Sequence, residues 1–329
     1  MRKLLVLALF LLLGACGGKN VDVDAAGSDL DEPDKVLFDR SMHELDRSHY
    51  NVARQLLQTL INTYSDSEFL PQAKYAMAES YYREGTGTML NQSETEFKDY
   101  ITFFPTSDLA DDAQLMVAMT HVKQMEKPDR DSTQSRLAEI ELQRMIADYP
   151  DSPLLDESKQ RLRDVQEVLA EGVAKVGRHY FLRRSYAAAT DRYKEILQKY
   201  PDYSNLDEAL YLLGESLRRN NNEPESGLYY ARVVRDFPLS QYSEDAKQRL
   251  TELNLPIPQA NPIAIARAQQ RPEGKGLFQK MFGMFNRRPD VKTDTGAGAV
   301  GPESGAPPSD GNGDFTINPK VVTPEPEKK

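Results

Sequence analysis

Few residues of this 329-residue chain have side chains that could do chemistry. There is one thiol, Cys16, and there are four imidazoles, at His43, His49, His121 and His179. A zinc site needs several thiolate or imidazole ligands at set spacing. His43 and His49 are six residues apart, which puts them on different helical faces, and no HExxH pair occurs. No GxSxG nucleophile elbow is present, and no GxxxxGKS/T loop to cradle phosphate. Gly85-Thr86-Gly87 reads as a turn, and Glu139 and Glu141 read as solvated helix faces. The sequence predicts a chain that is not an enzyme, with no catalytic residue, no cofactor and no metal.

The thiol has a different use. Arg2 and Lys3 precede an apolar run over residues 4–13, too short to span a bilayer and right for a signal-peptide core. The run closes on Leu13-Gly14-Ala15-Cys16, which looks like a lipobox. Residues 1–15 are therefore read as a signal peptide and Cys16 as a lipidated amino terminus. Stable anchoring takes more than one acyl chain, as a mature bacterial lipoprotein would carry (palmitate among them). Gly17 rather than Asp follows the cysteine, which favours the outer membrane over inner-membrane retention. Residues 16–35 are small, acidic and aperiodic, and read as a flexible tether.

Charge narrows the partners. There are 41 basic against 51 acidic residues, a formal net charge of −10. The acidic balance argues against nucleic acid as the main partner, because phosphate binding needs a basic face, and Lys and Arg are interspersed with Asp and Glu through the middle of the chain.

Residues 36–253 are punctuated by five aromatic-then-breaker steps: Tyr64-Ser65, Phe104-Pro105, Tyr149-Pro150, Tyr200-Pro201 and Phe237-Pro238. Each closes an amphipathic helix. Tyr186, Ala189, Tyr193, Ile196 and Tyr200 recur at three- and four-residue steps and share one face. Small-x-x-x-aromatic followed by proline is the second half of a tetratricopeptide (TPR) repeat. Further helices are expected at about 109–126, 132–149, 154–182, 206–219, 223–237 and, as a cap, 243–253. Leu162, Val165, Leu169, Val173, Val176 and Tyr180 are expected to hold one face of the long one. The fold class is all-α, an α/α superhelix of about five TPR-like hairpins. One hairpin cannot bury its own apolar stripe, so stacking makes the core and leaves a concave face for peptides or proteins.

Residues 254–329 hold eleven of the twenty prolines and nine of the nineteen glycines and read as a mostly disordered tail. Within it, residues 275–288 form a basic apolar island, with Phe278, Met281, Phe282 and Phe285 on one face of a short helix. Such an island could meet a groove or an anionic surface, or pack back on the array.

Asp129-Arg130-Asp131, then Ala138, then Tyr149-Pro150-Asp151-Ser152 resembles the BamD (YfiO) family of outer-membrane β-barrel assembly lipoproteins. The resemblance runs over residues 36–253 and includes Phe104-Pro105-Thr106-Ser107 and residues 180–201. It implies a lipid-anchored scaffold on the periplasmic face of the outer membrane. It further implies amino-terminal repeats that receive targeting peptides of unfolded outer-membrane proteins. The carboxy-terminal repeats would dock on a BamA-like barrel subunit, alongside other assembly lipoproteins. The partner-binding residues carried over are Arg192, Asp129, Arg130 and Asp131. One departure stands out: the first repeat ends Tyr64-Ser65-Asp66-Ser67, where the family has an aromatic Pro-Phe-Gly step, which puts the peptide pocket in question. A different TPR lipoprotein of the envelope, such as a cell-division or Tol-Pal-linked coordinator, is the rival reading. A lytic transglycosylase would need a further catalytic domain that the tail is too rich in proline and glycine to form.

Overall fold

The structure, a computed structural model, describes residues 32–270. Among them every regular element is a helix: α1 (Pro33–Asp46), α2 (Tyr50–Thr63), α3 (Leu70–Glu84), α4 (Gly87–Phe103), α5 (Ala110–Lys123), α6 (Thr133–Asp148), α7 (Leu155–Leu182), α8 (Tyr186–Lys199), α9 (Leu206–Arg219), α10 (Glu223–Asp236), α11 (Tyr242–Glu252) and α12 (Pro262–Gln270). α1 to α10 pair into five antiparallel hairpins, each packed on the next, and α11 covers the last. The array is the expected all-α stack.

Two turns repeat along the chain, and both have a physical cause. Within three hairpins the link passes through a left-handed residue, Ser48, Arg184 or Asn221, with φ of 60–62°. Paired backbone bonds close each link, as in Ser185 N–H to Tyr180 O and Arg184 N–H to Phe181 O, so the exposed carbonyls of the first helix are satisfied. Between hairpins the aromatic carbonyl accepts the N–H three residues on: Ser67 to Tyr64, Ser107 to Phe104, Ser152 to Tyr149, Tyr203 to Tyr200 and Ser240 to Phe237. In four of the five that third residue is a serine whose Oγ accepts the N–H two residues later and starts the next helix. The turn therefore reads as aromatic-x-x-Ser. It forms at Tyr64-Ser65-Asp66-Ser67 as it does elsewhere, so the missing proline leaves the geometry intact.

Small-to-aromatic contacts set the packing. A Cβ added at Gly177 would lie 3.1 Å from the Tyr193 ring, and one at Gly214 would lie 2.6 Å from the Tyr230 ring. Ala189, Tyr193, Ile196, Leu210, Leu213 and Tyr230 are all buried in one cluster spanning the third to fifth hairpins.

Three expectations are corrected. The tether was expected to reach residue 35, but α1 begins at Pro33, where a first-turn proline loses no helix bond. The tail from 254 was expected to be mostly disordered, yet its first residues pack. Leu255 fills the space over Gly227, Asn261 N–H donates to Arg235 O at 2.9 Å, and α12 follows. Val176, assigned to the buried face of α7, is 45% exposed. The signal peptide, Cys16, most of the tether and the island at 275–288 lie outside the described residues.

Candidate functional site

α7 is the element that builds the site. At 28 residues it is twice as long as α8 and α9 beside it, because no breaker interrupts it. Two glycines lie inside it, each disfavoured there by about 1 kcal/mol relative to alanine. Both mark close approaches. Gly177 admits the Tyr193 ring of α8. At Gly172 an added Cβ would lie 2.7 Å from the carbonyl oxygen of Pro128, so only glycine lets the α5–α6 loop settle on this helix. Loop, the start of α6, α7 and α8 then border an open cavity of about 250 Å³.

The Asp-Arg-Asp segment lies in that loop, and its three residues do different things. Asp131 Oδ1 accepts from Thr133 N–H at 3.0 Å and Thr133 Oγ1 at 2.8 Å, which fixes the start of α6. Those bonds hold its carboxyl below the ordinary aspartate range. Asp129 faces Lys175 of α7 at 3.7 Å. Its own backbone N–H, and then Lys175, hold its carboxyl low as well. The two carboxylates position the loop and Arg130 lines the cavity.

Arg192 reaches the same cavity from α8. It pairs with Glu195 at 2.8 Å, and Lys199 pairs with that carboxylate at 2.8 Å. Lys199 first, and Arg192 after it, keep the Glu195 carboxyl low against the pull of partial burial. Lys127 and Arg136 complete the lining, so five cationic side chains meet two carboxylates, Asp131 and Glu195. Among the described residues no carboxylate lies within ion-pair distance of Lys127, Arg130 or Arg136. The floor is apolar: Val168, Leu169, Val173 and Tyr200, whose hydroxyl burial pushes up to about 12. A locally positive, apolar-floored recess on a chain of net charge −10 suits an acidic side chain carried by another protein.

Arg192 and the Asp-Arg-Asp loop are therefore brought together across 60 residues of sequence. Sequence reasoning missed Gly172, Arg136, Lys199 and Lys127. A glycine inside a helical stripe was the available signal for the first; the three cations carry no pattern of their own.

Other expected positions fall elsewhere. Glu141 was read as solvated but is 5% exposed, accepting from Gln114 Nε2 at 3.0 Å and pairing with Arg144 at 2.8 Å. Glu139 is half-buried and accepts from Gln166 at 2.9 Å. A buried carboxylate persists only with such partners. The histidines are dispersed: His49 bonds Glu44 at 2.7 Å, His121 is buried against Gln134, and His179 lies beside Tyr180.

Comparison with known proteins gives the family. The family described as YfiO, outer membrane lipoprotein, matches residues 30–225. An outer membrane protein assembly factor BamD of Rickettsia prowazekii is 22% identical over 237 residues, covering 72% of this chain and 91% of that protein. The BamD of Neisseria gonorrhoeae is 23% identical over 253 residues, covering 74% and 94%. A TPR2AB-domain complex of yeast Sti1 aligns over 77% of this chain and 98% of its own at 9% identity, with a TM-score of 0.35. With that family matching residues 30–225, more than half of the chain, this protein belongs to the YfiO family of outer-membrane lipoproteins.

Proposed function

We propose that this chain is an outer-membrane protein assembly factor. It is a scaffold held at the periplasmic face by lipid on Cys16, which helps fold and insert β-barrel proteins. Its role is to bind and position partners. The amino-terminal hairpins receive targeting peptides of unfolded barrel proteins, and the carboxy-terminal hairpins dock on a BamA-like barrel subunit beside other assembly lipoproteins. The observation that carries the docking role is the recess at α7. There Arg192, paired with Glu195, and Arg130, which has no carboxylate within ion-pair distance among the described residues, meet from distant parts of the sequence in a lining of net positive charge over an apolar floor. Relatives named BamD span most of the chain, which supports the same reading. No described helix is long and apolar enough to cross a membrane.

The test is affinity purification of the full chain from detergent-solubilised native membranes. Recovery of a BamA-like subunit in near-equal amount is expected. Arg192→Glu reverses the charge at an exposed site and loses only a surface pair with Glu195, so it should cost no more than about 1 kcal/mol of stability while cutting recovery by roughly tenfold or more. Absence of any barrel subunit from the wild-type preparation would refute the assembly role.

A further inference from the structure

The positive recess is only half of a longer feature. Next to it along α7 is a second cavity of about 200 Å³, and Tyr200 lines both. Its charges have the opposite sign: Asp164, Glu167 and Asp202 against Arg163. Asp164 is 8% exposed, and among the described residues it accepts a hydrogen bond from Gln160 but meets no cation within 4 Å. Burial pushes its carboxyl above the ordinary aspartate value, with the Gln160 bond working against that shift. A carboxylate in that state gains most from a cation brought to it. Glu167 is already held by the backbone N–H and hydroxyl of Ser204.

Residues 164, 168, 172 and 176 follow one another at four-residue steps and so share one face of α7. From Asp164 to Gly172 is eight residues, about 12 Å at 1.5 Å per residue. An extended chain covers that distance in about four residues, at 3.3 Å each. In such a chain, side chains at alternate positions point the same way.

We infer that this strip of α7 binds an extended segment of a partner protein with an acidic and a basic side chain four residues apart and an apolar one midway. The acid enters the recess of Arg130 and Arg192, the base meets Asp164 and Asp202, and the apolar side chain covers Tyr200 and Val168. The strip deepens the docking role proposed above by naming the chemistry of the segment that docks, and the two can fail separately because no barrel subunit enters the test.

The probe is a fluorescein-labelled peptide, Gly-Ser-Asp-Thr-Leu-Thr-Lys-Ser-Gly, together with the version in which Asp and Lys exchange places, titrated with the full chain and read by anisotropy. One of the two orders should bind roughly tenfold or more tighter than its Asn/Gln analogue. Asp164→Asn should remove the advantage of Lys over Gln and leave that of Asp over Asn. Arg192→Ala should do the reverse. If Asp164→Asn fails to fold, Asp202→Asn, at an exposed position, carries the same test. Equal binding of charged and neutral peptides, variants that weaken all peptides alike, or no measurable binding of either order would overturn the inference. So would tighter binding of a peptide copying residues 286–293 of this chain, which would give the strip to its own tail.

Discussion

Gly214→Ala is the sharpest test of the packing described above. The added methyl would lie 2.6 Å from Tyr230 Cε1, 2.9 Å from Cδ1 and 3.0 Å from Cζ. Ordinary carbon contacts are about 3.5–4.0 Å, so the ring must move by roughly 1 Å. It has little room to do so. Tyr230 is 0% exposed, and its hydroxyl donates to Glu215 at 2.8 Å. Overpacking of this kind costs about 1–3 kcal/mol, and a ring fixed at both ends belongs near the top of that range. Alanine recovers about 1 kcal/mol of helix propensity. The net expectation is a loss of about 2 kcal/mol, or about 4–8 °C in Tm for an array of this length. Gly177→Ala is the built-in control. Its methyl meets Tyr193 at 3.1 Å, a contact a few tenths of an ångström of movement relieves. The propensity gain there should nearly cancel the strain and leave stability within about 1 kcal/mol of wild type. Urea unfolding followed by circular dichroism measures both, with m compared as well as the midpoint, because a repeat array need not unfold in two states. A Gly214→Ala protein as stable as wild type, or a Gly177→Ala protein hit harder than it, would refute the reasoning. Tyr230→Leu is costly by itself, since it removes the hydroxyl held by Glu215, but combined with Gly214→Ala it should cost less than the sum of the two, since the sites touch.

Gly172→Ala should leave global stability nearly unchanged but lift Pro128 and the rest of the α5–α6 loop off α7, so that trypsin cleaves after Arg130 about fivefold faster or more; an unchanged cleavage rate would count against the close approach. Glu215→Ala removes a carboxylate only 3% exposed that Arg218, Arg219, Arg249 and the Tyr230 hydroxyl share; it leaves the buried hydroxyl without its acceptor, while Arg249 keeps Glu252, and should cost about 1–3 kcal/mol. Burial raises the Glu215 carboxyl, but bonds from Arg218 and Tyr230 outweigh that and hold it below the ordinary value of 4.5. A lowered folded value gives stability that is full above the unfolded value and lost as pH falls through the folded one. Wild-type stability should therefore drop below about pH 4.5 more steeply than that of Glu215→Gln, as thermal melts across that range would show.

The repeat spacing was legible because the turns are made by local chemistry. An aromatic residue closes one helix and, three residues on, a side-chain oxygen opens the next, so sequence alone places the hairpins. Tyr193 and Tyr230 were legible too, since small-to-aromatic spacing lies within one strand of reasoning about helical faces. The recess was only half legible. Arg192 and the Asp-Arg-Asp loop came from resemblance, but nothing in their order says that one cavity unites them. That depends on Gly172 letting a distant loop touch α7. Glu141 was misread because an acidic residue on a helix is usually solvated, and its burial follows from Gln114 on a neighbouring helix. Val176 was misread in the opposite direction: the apolar stripe of α7 is longer than its neighbours can cover, and its uncovered part forms the wall of the recess.

The grip on Glu215 has a mechanical consequence. Its carboxylate is on α9, Tyr230 is on α10 and Arg249 is on α11, so one buried anion clasps three successive helices. Solenoids ordinarily fray from their ends, one unit at a time. Here α9, α10 and α11 should let go together. Pulled from its tail, the chain should resist until a single abrupt rupture frees the whole end, and a client tugging on the last hairpin would meet a stiff handle.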